Sequence, residues 1–597
     1  MQIVDVEQFL AQHDGANPLR PFSIAVLDPR REPYQALLCQ PHGTVHAGHD
    51  RIGNSDSAAS APMYLALLQE AINRQSQLVV LPEYSVPWSV IGEIARGPLR
   101  PPMGSLWALG SESITPSELE ALGASLADRN DVRLLHEAID PQQRVQRSFI
   151  DPLVYVFWTR TQADATVLCI LVQFKTVPCR DDDHVELRSL YLGRNVYRFR
   201  NPNPTIQLIG IICSDAFEFD NASVDAHCAD VLLLHVQLNK NPANPVYSAY
   251  RSRLYAVASN NSAEVLCLNW SAGVRIEGMP NPWNEIAGSA WYVSPRSDPV
   301  DDADVNRLHH DGVYYCLVDK RWHGFYLNYS PHFIVIEMQR VFSTGPQVLA
   351  PRLAPHVVAR CEWNEPNGSW TDVNANDGFD AFLQGYAPLN ASLPQMRQRD
   401  PLAVERAMEL LEGTDGGPSD WYALKQLQAL RVADEESLRR VTVSQETNRF
   451  RAGVRFRRER TRRAMIAIGV PGQPMRWPRG AADLASGFTY RWAAAEPHCN
   501  VEPLNGNGGP ATLVFLGDEP DQDALSSVYA KLSKALRADA AQKRTAGTSN
   551  VDASQAADRL CVVYRRNGVL QSHRPSDSNS ITEPATGIED DITRGDQ

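Results

Sequence analysis

Over roughly the first 345 residues, short runs that are apolar at nearly every position alternate with longer stretches whose apolar residues recur every three or four positions. The runs PFSIAVLD (21–28), QLVVLPEY (77–84), YVFW (155–158), VLCILVQF (167–174), IQLIGIIC (206–213), DVLLLHV (230–236), EVLCLNW (264–270) and FIVIEM (333–338) have strand length and predict strands. The stretches 57–75 (SAASAPMYLALLQEAINRQ) and 245–261 (PVYSAYRSRLYAVASNN) predict helices. A strand apolar at successive positions has two faces to bury. The pattern therefore predicts an α/β layered fold whose sheets are covered on both sides.

Beyond about residue 350 the pattern changes. The stretch 362–400 is rich in Asn, Pro, Gly and Asp and predicts a loop or linker. Helices are predicted over 401–413, 419–440 and 521–543, and strands over 511–517 and 560–566. The tail 571–597 is polar and free of aromatics, which predicts disorder. A chain of 597 residues is too long for one ordinary core. The expected organisation is a domain over 1–345, a linker over 346–400, an accessory α/β or α+β region over 401–570, and the tail.

Composition narrows the function classes. A net charge of -13 argues against a general nucleic-acid or membrane-surface binder. No run of 18 apolar residues predicts a spanning helix, and the first residues, MQIVDVEQFLAQHDG, do not read as a signal peptide. None of the ten cysteines forms a Cys-x-x-Cys pair, so a zinc ribbon or thioredoxin-type motif is not expected. Free cysteines within apolar runs fit a reducing cytoplasm. Phosphate-loop and dinucleotide-binding glycine motifs are missing from the sequence.

Three chemically able residues stand at or just after the ends of apolar runs: Glu83 in LVVLPEYS, Lys175 in ILVQFKTVP and Cys213 in IGIICSDAF. In layered α/β proteins, functional groups collect at the carboxyl ends of strands. A cysteine can attack a carbonyl or nitrile carbon, a carboxylate can carry its proton, and a lysine can stabilise the developing oxyanion. The backbone N–H of Ser214, one residue past the cysteine, is a natural second oxyanion donor.

The order Glu, Lys, Cys, with the segments Leu81-Pro82-Glu83, Phe174-Lys175 and Ile212-Cys213-Ser214-Asp215, resembles the nitrilase (carbon–nitrogen hydrolase) superfamily. CADVLLLHVQLNK (228–240), RLYAVASNNSAEVLCLNWSAG (253–273) and IAGSAWYVSP (286–295) are similar to flanking family segments, so the resemblance spans about 20–340. It implies an α-β-β-α sandwich, a homodimer or higher homo-oligomer, and hydrolysis of a non-peptide C–N bond, most simply an amide. The reaction would pass through a Cys213 thioester with a Glu83–Lys175–Cys213 triad and no metal or organic cofactor. Many members position substrate with a second glutamate after the lysine; Glu186 is preferred here over Asp182 and Asp183. Two departures stand out. Glu83 and Lys175 are 92 residues apart, which implies an insertion within 97–150, and Ala216 follows Asp215 where the family often has arginine.

The segment 439–463 holds ten arginines against two glutamates, with Phe450 and Phe456 interleaved. It motivates an alternative in which the domain is a sensing or assembly module of a multi-component system, such as antiphage defence, with a nucleic-acid or protein partner bound through the C-terminal region.

Overall fold

The computed structural model describes residues 1–13, 18–21, 23–28, 33–180, 184–201, 206–218, 231–240, 263–283, 288–293, 308, 311, 313–318, 322–327, 330–338, 355–373, 475–491, 496, 499–505, 508–547 and 555–573. The helices expected over 245–261, 401–413 and 419–440, the arginine-rich segment 439–463 and the tail beyond 573 lie outside these residues. The chain divides into two compact units, whose described residues fall within 1–373 and 475–573.

The first unit holds two large sheets. Along one, the order is Ser369–Asp372, His356–Asn364, His332–Met338, Tyr34–Gln40, Leu78–Val86, Leu106–Ser111, Pro152–Arg160, Thr166–Phe174 and Val132–His136. The other runs Gln2–Asp5, Asn195–Arg200, Gln207–Ile212, Val231–Val236, Glu264–Leu268, Ala290–Val293, Trp322–Leu327 and Val313–Val318. Each has a parallel centre: Tyr34–Gln40, Leu78–Val86 and Leu106–Ser111 in the first, and the three strands from Gln207 to Leu268 in the second. Such strands are covered on both faces, which explains the unbroken apolar runs.

One face of the first sheet carries Leu37, Val79, Leu81, Trp107, Leu109, Val154, Ile170 and Val172, packed with the helices Ser57–Asn73 and Trp88–Arg96. Asp56 starts the first of these helices by accepting the Ala59 N–H, a standard cap for otherwise unpaired amides. The other face meets the second sheet. Gln173 of the first sheet donates to the Gly210 carbonyl of the second and accepts the Tyr197 N–H. Tyr155 and Phe199 join edge to face, with ring centres 4.8 Å apart. Glycine at 210 permits this approach, because a Cβ would come within 2.1 Å of the Tyr155 hydroxyl and force that ring to shift. The result is a mixed α/β architecture with two sheets stacked face to face, as expected.

Two local expectations change. Residues 21–28 do not form one strand: Arg20–Pro21 pair briefly and Ala25–Leu27 make a 3-10 turn. The Asn201 side chain takes both backbone groups of Ile24, and the Gly104 carbonyl accepts the Ala25 N–H, so these groups are satisfied away from a ladder. The strand in that region is Tyr34–Gln40. Residues 355–373, expected as linker, form a hairpin of His356–Asn364 and Ser369–Asp372 that extends the first sheet. Its Asn, Pro and Gly residues make only the turn, while Cys361, Trp363 and Trp370 pack against the core beneath. The long interval between Glu83 and Lys175 contains the helix Pro116–Ser125, the edge strand Val132–His136 and the helix Pro141–Gln146.

In the second unit, Thr512–Asp518 pairs parallel with Leu560–Arg566, which turns back antiparallel into Val569–Ser572. The helix Gln522–Thr545 connects the parallel pair. Val514, Leu525, Leu532, Leu536, Leu560 and Val562 form its core.

Candidate active site

Glu83 lies in a strand whose register against Leu106–Ser111 shifts between Leu81 and Val86, and Tyr84 beside it has a φ of 57°. Such a bulge re-aims side chains that regular pleating would direct into the sheet. Lys175 directly follows Thr166–Phe174. Its ammonium lies 2.6 Å from Glu83 Oε1, 2.7 Å from Glu186 Oε1 and 3.2 Å from Asp151 Oδ2, and all four side chains are at most 5% exposed. Glu186 also accepts the Tyr84 hydroxyl at 2.9 Å and the Cys179 N–H at 2.6 Å.

The second sheet completes the arrangement around Glu83. The Leu238 N–H, just past Val231–Val236, donates to Glu83 Oε2 at 2.6 Å. Trp270, just past Glu264–Leu268, donates its indole N–H to the Glu83 carbonyl at 2.7 Å. Carboxylate oxygens of Glu83, Asp151 and Glu186 lie within 4.8 Å of one another, a spacing that suits a cation. Lys175 reaches all three, so the protein's own ammonium serves as that cation.

Cys213 follows Gln207–Ile212 and begins a 3-10 turn at a φ of 40°, in the left-handed region that a non-glycine residue enters only under constraint. Two side chains supply much of that constraint. Asp215 accepts from the N–H of Ile212, the N–H and hydroxyl of Thr176, and the N–H of Val177. His235 bonds the Cys213 carbonyl through Nε2 at 2.9 Å, while Gln237 Nε2 meets His235 Nδ1 at 3.1 Å. Because the Gln237 amide donates to Nδ1, His235 carries its proton on Nε2 and donates to Cys213. The Ser214 hydroxyl donates to the Val177 carbonyl at 2.6 Å. These bonds join the turn that bears Cys213 to the segment directly after Lys175, across the two sheets.

Burial pushes the Glu83 carboxyl above its ordinary range; Lys175 opposes this and Glu186 adds to it. Asp151 goes well above the usual range for the same leading reason. Burial disfavours the Lys175 charge, yet Glu186, Glu83 and Asp151 outweigh it and hold its pKa well above normal. Burial also raises other thiols: Cys361 and Cys561 to about 12, Cys499 to about 11, and Cys39 and Cys169 further still. Those thiols are poor nucleophiles at neutral pH.

The structure thus brings Glu83, Lys175 and Glu186 into direct contact and ties Cys213 and Ser214 to the same loop cluster. Asp182 and Asp183 lie outside the described residues. Asp151, Tyr84, Asp215, His235 and Trp270 carry positioning contacts that strand-end reasoning did not assign. Asp151 had a visible signal, an acid directly before the apolar run Pro152–Trp158.

No family model matches the chain, and no curated protein matches it. Solved structures of carbon–nitrogen hydrolase type do resemble it. Glutamine-dependent NAD+ synthetase from Acinetobacter baumannii is 12% identical, with 63% of this chain and 53% of that one covered and a TM-score of 0.24. An amidase from Nesterenkonia sp. is 12% identical over 51% of this chain and 90% of its own, with a TM-score of 0.25. A carbon–nitrogen hydrolase from Helicobacter pylori G27 is 13% identical over 44% and 82%, also with a TM-score of 0.25. The chain spans about half the length of the synthetase. The functional reading therefore rests on the side chains themselves.

Proposed function

We propose that the first unit hydrolyses a non-peptide C–N bond, most simply a small amide, with Cys213 as nucleophile. The thiol sulfur attacks the carbonyl carbon while its proton passes to Glu83. Lys175 and the Ser214 N–H hold the oxyanion. The C–N bond then breaks, its electron pair going to nitrogen, which leaves as an amine with the proton from Glu83. Water, deprotonated by Glu83, attacks the resulting thioester; the acid departs and the thiol recovers its proton. Glu186 fixes the ammonium and positions substrate. The observation that carries this reading is the buried Glu83–Lys175–Glu186 ion cluster, linked through Asp215 to a constrained Cys213.

The test needs no substrate guess. Full-length protein is treated with limiting iodoacetamide across pH, and modified cysteines are located by peptide mass spectrometry. Cys213 is expected to label ahead of the other cysteines and to remain reactive below the free-thiol pKa of about 8.5. In Glu83→Gln, neutral-pH labelling is expected to fall by about 100-fold. A Cys213 no more reactive than the rest would overturn the reading. If it labels selectively, ammonia release from an amide panel identifies the substrate class.

A further inference from the structure

We propose that Asp151 stands in the fold as a neutral carboxylic acid that donates a hydrogen bond to Glu83 and thereby sets the basicity of that residue. The consequence for catalysis rests on the reading above; the protonation state does not.

Glu83, Asp151 and Glu186 surround one ammonium in a region at most 5% exposed. Ionising all three would leave two uncompensated negative charges out of contact with water, which a protein interior relieves by retaining a proton. The hydrogen bonds identify where it resides. Glu186 accepts from Tyr84, Cys179 and Lys175, and Glu83 accepts from Lys175 and Leu238. Among the described residues the Asp151 side chain meets Lys175 at 3.2 Å and the Glu83 carboxyl; as a carboxylate, its oxygens would have no hydrogen-bond donor aligned with them. As an acid it can donate to the Glu83 carboxyl, its side-chain hydrogen-bonding neighbour in the same cluster. Position is fixed from the backbone too, because the Lys175 N–H donates to the Asp151 carbonyl at 2.9 Å. The titratable groups facing Asp151 are Lys175, Glu83 and Glu186, with Tyr84 behind them. Burial, Glu83 and Glu186 all favour its protonated form, and Lys175 opposes it.

A donated hydrogen bond makes Glu83 a weaker base than burial alone would, keeping it ionised and ready for the thiol proton. Once that proton arrives, Glu83 and Asp151 are both neutral. The ammonium then faces the oxyanion with two of its three neighbouring acids uncharged.

The test has two arms on the full chain. Infrared difference spectra of wild type against Asp151→Asn at neutral pH should show a buried carboxylic-acid carbonyl band, and 13C-aspartate labelling of the wild type should shift it. A carboxylate band in its place overturns the proposal, and the isotope arm holds even if the variant misfolds. The second arm is the pH profile of Cys213 labelling. Asp151→Asn retains a neutral donor, so its profile should match wild type within about threefold. Asp151→Ala loses the donor, and its acidic limb should move to higher pH by about a unit, a roughly tenfold loss on that limb. An unmoved limb in Asp151→Ala, or a shifted one in Asp151→Asn, overturns the control of basicity. An unreactive wild-type Cys213 would sink the hydrolase reading and leave the infrared result standing.

Discussion

Lys175→Met is the most informative single perturbation. It replaces an ammonium within 3.2 Å of three acids by an apolar chain of similar length. Removing one partner of a buried ion pair costs about 3–5 kcal/mol. The orphaned acids can escape part of that cost by taking up protons, which makes the penalty depend on pH. In the wild type, Glu83 and Asp151 already have raised pKa values, so their contribution is best below the unfolded value of about 4 and is lost as pH rises toward the folded values. Lys175 follows the same rule at higher pH: its raised pKa adds stability that is fully present below the unfolded value of about 10 and is lost only as pH rises beyond it. Without it, nothing from lysine lowers the two acids, and the folded variant retains protons that its unfolded chain releases. Each extra retained proton costs about 1.4 kcal/mol per pH unit, or about 2.7 kcal/mol between pH 5 and 7. Urea midpoints followed by tryptophan fluorescence, with Trp107, Trp270 and Trp291 buried in the first unit, measure this at successive pH values. The expected result is a destabilisation that grows steadily with pH. A penalty equal at pH 5 and 8, or below about 1 kcal/mol at pH 7, would refute the idea that one ammonium compensates these acids.

Other outcomes follow from the same geometry. Cys213→Ser should lower amide turnover by about 10⁴-fold or more, with urea stability nearly unchanged, since the nucleophile is lost but the clamp remains. Asp215→Asn places an N–H₂ group opposite the Ile212 N–H and should cost about 1–3 kcal/mol, with slower Cys213 labelling; unchanged labelling would show that the clamp does not set the turn. Asp215 itself, pushed up to about 6 by burial despite its four hydrogen bonds, should subtract stability as pH rises from about 4 to 6, a slope absent in Asp215→Asn. A polyanion-binding role for 439–463 predicts RNA affinity that falls at least tenfold between about 50 and 200 mM salt in fluorescence anisotropy; salt-independent or absent binding removes that reading.

Much of the framework was legible because buried parallel strands write themselves as apolar runs. The runs at 77–84, 167–174 and 230–236 correspond closely to Leu78–Val86, Thr166–Phe174 and Val231–Val236. Tyr34–Gln40 was less legible: glutamines at both ends of YQALLCQ mask its period, although Gln40 is buried and bonds the Ser330 carbonyl. PFSIAVLD misled for the converse reason, since its backbone groups are taken by Asn201 and Gly104 from distant parts of the chain. The acids of the site show the same division. Glu83 and Lys175 could be read from strand ends, whereas the importance of Asp151 arises only when Pro152–Arg160 lies beside Thr166–Phe174. His235 sits within a run that reads simply as core, and only the fold brings its ring to Cys213.

The order in which the sheets are completed has a consequence for the growing chain. Tyr34–Gln40 pairs on one side with Leu78–Val86, but its other neighbour, His332–Met338, is synthesised nearly 300 residues later, after every described strand of the second sheet. A nascent or shortened chain lacking residues 332–372 would present Tyr34–Gln40 as a bare, apolar edge, open to pairing with another molecule. Expression of the first unit alone should therefore carry through Asp372, and shorter fragments are expected in the insoluble fraction.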